Sequence, residues 1–126
     1  MIQENDFECG VELPLVNRGA VVLEPTEDFL KWINESIEGT KPVTLDELRE
    51  DMTVYLIPEY DFDKDAEIWL KRNYRAILDE ELFSWNTDPG TWPEDRSFKK
   101  FRKFFGIRFC SMVLDMDEGA IERDNE

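Results

Sequence analysis

Gly19-Ala20-Val21-Val22-Leu23-Glu24-Pro25 is the stretch on which the fold turns. Four consecutive apolar residues after a glycine suit an interior strand covered on both faces, and Pro25 ends it. Upstream, Phe7, Cys9, Val11, Leu13 and Leu15 alternate with Glu8, Gly10 and Glu12. That is the period of a half-buried strand, which Pro14 confines to a sheet edge. Downstream, Thr26 stands as an N-cap with Glu27 and Asp28 in the positive first turn. Phe29, Ile33 and Ile37 then recur every four residues beside Leu30, giving an amphipathic helix that Gly39 closes.

Farther out, Thr44-Leu45-Asp46-Glu47 reads as a capping box and predicts a short helix over 44–51. Thr53-Val54-Tyr55-Leu56-Ile57 is β-branched and aromatic, a second core strand halted by Pro58. From Asp63 to Trp85, Ala66, Leu70, Tyr74, Ile77, Leu78, Leu82 and Trp85 follow one helical face, with Trp69 widening the stripe. Asn86 to Gly90 carries turn chemistry. Asp95 or Ser97 caps a further helix lined by Phe98, Phe101 and Phe105, with Gly106 suited to a left-handed stop. Ile107 to Leu114 reads as a strand apolar on both faces. Helices separate the three strongest strands. The expected class is therefore α/β, with α+β as its variant: a small sandwich of a three- or four-stranded mixed sheet with helices packed on it, joined by right-handed connections. Residues 1–114 form the expected single globular domain, and 115–126 an acidic C-terminal tail. A chain of 126 residues that is 41 % hydrophobic and 13 % aromatic has material for one such core.

Charge narrows the function classes. Thirty Asp and Glu oppose 15 Lys and Arg, for a net charge of −15, yet residues 96–108 hold six basic residues and no acid. The net charge is thus +6 inside that segment and −21 outside it. Such a field repels nucleic-acid phosphates and anionic lipid and attracts cationic partners. Arg96, Lys99, Lys100, Arg102, Lys103 and Arg108 interleave with Phe98, Phe101, Phe104 and Phe105. The rings fall at helical core spacing, so they are expected inside with the cations turned outward, and nucleic-acid binding is not favoured. No stretch approaches the ~20 apolar residues of a membrane span, and no secretory pattern opens the chain, so a cytoplasmic protein is expected. Cys9 and Cys110 have neither metal-site nor redox-motif spacing; Cys110 reads as a small buried hydrophobe.

Catalytic signatures are missing from the sequence. There is no histidine to activate Ser36, Ser84, Ser97 or Ser111, and no Ser lies in a GxSxG elbow, which argues against a hydrolase. Asp61, Asp63 and Asp65 have the spacing with which calcium loops begin. Ala66 then stands where the loop needs Gly and Arg72 where it needs Glu, so helix capping and first-turn acids explain the pattern more simply. The tail acids Asp115, Asp117 and Glu118 fit a calcium loop less well still. Asp79-Glu80-Glu81 lies against the helix dipole and is read as a solvated face pairing with Lys71, Arg72 or Arg75. Trp85 and Trp92 flank the Pro-Gly turn, as lids on the core or as a recognition rim.

Asn17-Arg18-Gly19-Ala20-Val21-Val22-Leu23, with Phe29, Trp32 and Ile33 after Pro25, then Val54-Tyr55-Leu56-Ile57-Pro58 and Trp92-Pro93, resembles a group of small bacterial cytoplasmic proteins of unknown function over about residues 17–114. The resemblance implies a stand-alone cytoplasmic domain without a cofactor and carries no activity. From the residues themselves, the expected role is a non-enzymatic acidic interaction protein for a basic protein partner, as in immunity or neutralising proteins. Its candidate binding residues are Glu59, Asp61, Asp63, Asp65, Trp85 and Trp92, with no catalytic residue, metal or cofactor. The alternatives are a small-ligand or divalent-cation-binding enzyme built on a carboxylate cluster, and a homo-oligomeric structural domain.

Overall fold

A computed structural model describes residues 14–37 and 41–124. The predicted edge strand over Phe7 to Leu13, the position of Cys9 and the helix stop at Gly39 lie outside the described residues. The apolar run quoted first becomes β1 (Arg18–Pro25), the middle strand of a three-stranded sheet. It is flanked by β2 (Val54–Pro58) and β3 (Phe105–Cys110), both antiparallel to it. β2 and β3 therefore run parallel to each other without touching, and the chain between them crosses over β1. The sheet has three strands, within the expected range, and its neighbouring pairs are all antiparallel.

Side-chain alternation divides the sheet into two faces. Val21 lies opposite Tyr55 and Phe109, and Leu23 opposite Ile107. Together with Ile57 and Phe105 these residues meet the helices in one core. α1 (Glu27–Ser36) buries Phe29 and Ile33, α2 (Leu45–Arg49) buries Leu48, and α4 (Phe98–Phe104) buries Phe101 and Phe104. α3 (Asp63–Trp85), 23 residues long, buries Ala66, Leu70, Ile77, Leu78 and Leu82, the stripe its spacing predicts. On the sheet's other face Val54 is 55 % and Leu56 49 % exposed. Beside Leu56 and Arg18 lie Ile121, Glu122 and Arg123 of the C-terminal tail.

Helix ends follow local chemistry in some places and tertiary contacts in others. The Thr44–Glu47 capping box forms in full. Ser97 caps α4 by accepting the Lys100 amide, while the Asp95 carboxylate accepts the Ser97 amide. Thr26 occupies the N-cap of α1 but makes no side-chain cap. Its hydroxyl donates instead to the Lys103 and Phe104 carbonyls at the end of α4, at 2.6 and 3.0 Å. α3 starts one residue earlier than a cap at Asp63 implies: Phe62 is the N-cap, and Asp63 and Asp65 are first-turn acids.

Three expectations for the last strand are corrected. Gly106 is not a left-handed helix stop, because α4 passes at Phe105 directly into β3 in extended backbone. β3 is not apolar on both faces to Leu114: it ends at Cys110, and Leu114 makes only an isolated bridge to Leu15. Cys110 is exposed and free rather than buried. The register places it opposite Ala20, on the sheet face that also carries the exposed Val54 and Leu56.

Candidate functional site

The two ends of α3 carry different chemistry. At its start, the turn from β2 holds Glu59, Asp61, Asp63 and Asp65, all exposed. Tyr60 folds inward and meets Phe109 edge-on, with ring centroids 6.1 Å apart. Phe62 does the opposite. It is 64 % exposed among the four acids, with the Lys64 ammonium 5.9 Å from its ring centroid. Helical spacing places position 62 on the same stripe as Ala66 and Leu70, which is why periodicity alone conceals it. As the N-cap, Phe62 has extended backbone, φ −127° and ψ 141°, and its side chain leaves the helical face. Ile68, one turn beyond Lys64, adds a second exposed apolar residue.

At the far end of α3, Trp85 and Trp92 are half-buried and pack against the core. Trp92 donates its indole N–H to the Asn86 carbonyl at 2.9 Å and lies beneath the Arg96 guanidinium at 5.6 Å. The helix rise separates Asp63 from Trp85 by roughly 33 Å along the axis. The six predicted binding residues thus form two groups. The acids gather on one turn, and the tryptophans belong to another region.

That second region holds a cavity of about 220 Å³ between β1, the α2–β2 link and the last turns of α3. Leu23, Phe29 and Leu48 form apolar walls, Trp85 lies at the side, and Asp51, Glu81 and Ser84 supply polar groups. Glu81 Oε2 accepts the Tyr55 hydroxyl at 2.5 Å. Burial pushes the Glu81 carboxyl above its usual range, against the opposing effect of the tyrosine bond, and neighbouring Glu80 adds to the rise. The same burial, together with Glu81, drives the Tyr55 phenol strongly upward, so it remains a donor. In the run Asp79-Glu80-Glu81, composition alone does not distinguish Glu81 from its acidic neighbours. The available signal was its spacing, four residues after Ile77 and four before Trp85, which places an acid on the buried stripe. Asp79 does pair as predicted, with Arg75 at 3.6 Å, and Arg96 approaches it to 4.0 Å.

The basic segment turns its phenylalanines inward: Phe101, Phe104 and Phe105 are buried and Phe98 half-buried. Several of its cations meet the protein's own acids, with Arg102 bonded to Glu67 at 3.0 Å and Arg108 3.9 Å from Glu24. Among the described residues, no three His, Cys, Asp or Glu side chains converge as a metal-holding group, and no helix is long and apolar enough to cross a membrane. No family model, curated protein or solved structure matches the chain.

Proposed function

We propose that this chain is a non-enzymatic interaction protein of the cytoplasm that docks a basic protein partner on the turn between β2 and α3, as immunity-type proteins neutralise cationic toxins and nucleases. The observation that carries this reading is Phe62, exposed at the centre of Glu59, Asp61, Asp63 and Asp65. An exposed aromatic ring supplies apolar contact area, and a rim of like charges selects a partner of opposite sign. The net charge of −21 outside the basic segment extends that selection beyond contact distance by steering cationic molecules toward the surface.

Capture on immobilised full-length chain from the native cell lysate tests the proposal. At low ionic strength a basic protein is recovered, and raising salt releases it. Phe62→Ala weakens the captured complex by about 1–2 kcal/mol, the range of an interface anchor. Recovery of no basic protein, or recovery indifferent to both salt and Phe62→Ala, overturns it.

A further inference from the structure

The cavity at the far end of α3 is lined by groups that accept hydrogen bonds. Glu81 and Asp51 bring carboxylates to it. The Ser84 hydroxyl donates to the Glu80 carbonyl at 2.9 Å, which leaves the serine oxygen as an acceptor. Tyr55 gives Glu81 one hydrogen bond but no charge. Among the described residues neither Glu81 nor Asp51 forms an ion pair. Arg49 lies close by in the fold, yet its guanidinium donates twice to the Pro25 carbonyl, at 2.9 and 3.1 Å, and reaches Glu24 at 4.0 Å. The cavity therefore combines unneutralised negative charge with walls of Leu23, Phe29 and Leu48.

The ligand that complements these features has a cationic head that only donates hydrogen bonds and a short apolar stem. A primary ammonium fits: it has three donors and no acceptor. At about 220 Å³ the cavity is smaller than the ~300–1,000 Å³ of sites for drug-sized molecules, which suits a chain of a few carbons rather than a nucleotide or a ring cofactor. We infer that the Glu81 cavity is a binding site for a primary alkylammonium group, held by Glu81 and Asp51 with its carbon stem against Phe29 and Leu48. This site is separate from the Phe62 turn and does not depend on a protein partner there. The group could belong to a free amine or to a lysine side chain, and the probes below distinguish the two.

Titration of the full chain with n-butylamine, as butylammonium at pH 7 and 0.15 M salt, is followed by proton–nitrogen correlation NMR. The result expected is saturable shifts of the Trp85 indole N–H and the Thr53 and Ser84 amides. 1-Butanol, the neutral analogue, binds at least ten-fold more weakly, as does butylammonium to Glu81→Gln, in line with the loss of a charge-assisted hydrogen bond. Asp51→Asn, on the exposed link after α2, weakens binding several-fold and provides the answer if Glu81→Gln does not fold. Shifts scattered over the acidic surface, equal binding of butanol, or binding unchanged in folded Glu81→Gln or in Asp51→Asn overturns the inference. Nα-acetyl-lysine methylamide then identifies the source: saturable binding at the same residues admits a protein-borne lysine, and its failure where butylammonium succeeds restricts the site to free amines.

Discussion

Gly19 gives the Tyr60 ring its place. A Cβ on residue 19 would stand 2.6 Å from Cε1 and 2.9 Å from Cδ1 of that ring, and 3.3 Å from the Cys110 carbonyl oxygen. Gly19→Ala is expected to cost about 1–3 kcal/mol, the usual penalty for overpacking. Urea unfolding of Gly19→Ala, Tyr60→Ala and the double variant checks this, and the double variant is less destabilised than the sum of the singles. Glu81 makes a second prediction at this scale. Its folded-state pKa is raised, so the native state binds the proton more tightly than the unfolded chain does. Stability from this group is greatest below the ordinary glutamate value and falls as pH rises through the raised one. Relative to Glu81→Gln, which keeps an acceptor for Tyr55, the wild-type chain therefore loses melting temperature between pH 4 and pH 7. Glu47 and Asp95 act in the opposite sense: their pKa values are lowered by hydrogen bonds at the Thr44 cap and from Ser97. What they contribute disappears as pH falls below the usual carboxylate range.

Among the elements, the helices were the most legible and their junctions the least. Thr44 and Glu47 are three residues apart and cap α2 with no help from the rest of the chain. Thr44→Ala should destabilise the protein by about 1 kcal/mol, read from the urea midpoint at unchanged slope. Leu78, fully buried on α3, follows from spacing in the same way, and Leu78→Ala should cost about 2–5 kcal/mol. Thr26 could not be read correctly from its neighbours, because its hydroxyl partners at Lys103 and Phe104 lie 77 and 78 residues away. Cys110 departs from its local pattern for a related reason. Whether a strand residue faces helices or the open side is set by register with β1, a long-range pairing that local alternation does not encode. The same holds for strand order, in which β1 lies between two strands that come later in the chain. Phe62 shows the limit of periodicity: one residue outside the helix, an apolar side chain at the correct spacing points away from the core.

At the scale of the whole molecule, the proposed reading gives separate tasks to the two ends of α3. The acidic turn was legible as acids, but its aromatic centre was not; the tryptophans were legible as half-buried aromatics, but the carboxylate cavity beside Trp85 was not. Because attraction at the acidic turn acts through solvent, partner association should slow steeply as salt rises from 0.1 M to 1 M and the screening length contracts from about 10 to 3 Å. Stopped-flow mixing of the chain with its captured partner measures that slope, and asparagine at positions 61, 63 and 65 should flatten it. The central claim, that a basic protein docks on the Phe62 turn, is tested most directly by placing a photoreactive benzophenone amino acid at position 62 and irradiating the native cells. The account predicts a covalent adduct with a basic protein, strongly reduced when Asp61, Asp63 and Asp65 are all changed to Asn. An adduct of unchanged yield in that variant, or none with a basic protein, would contradict it.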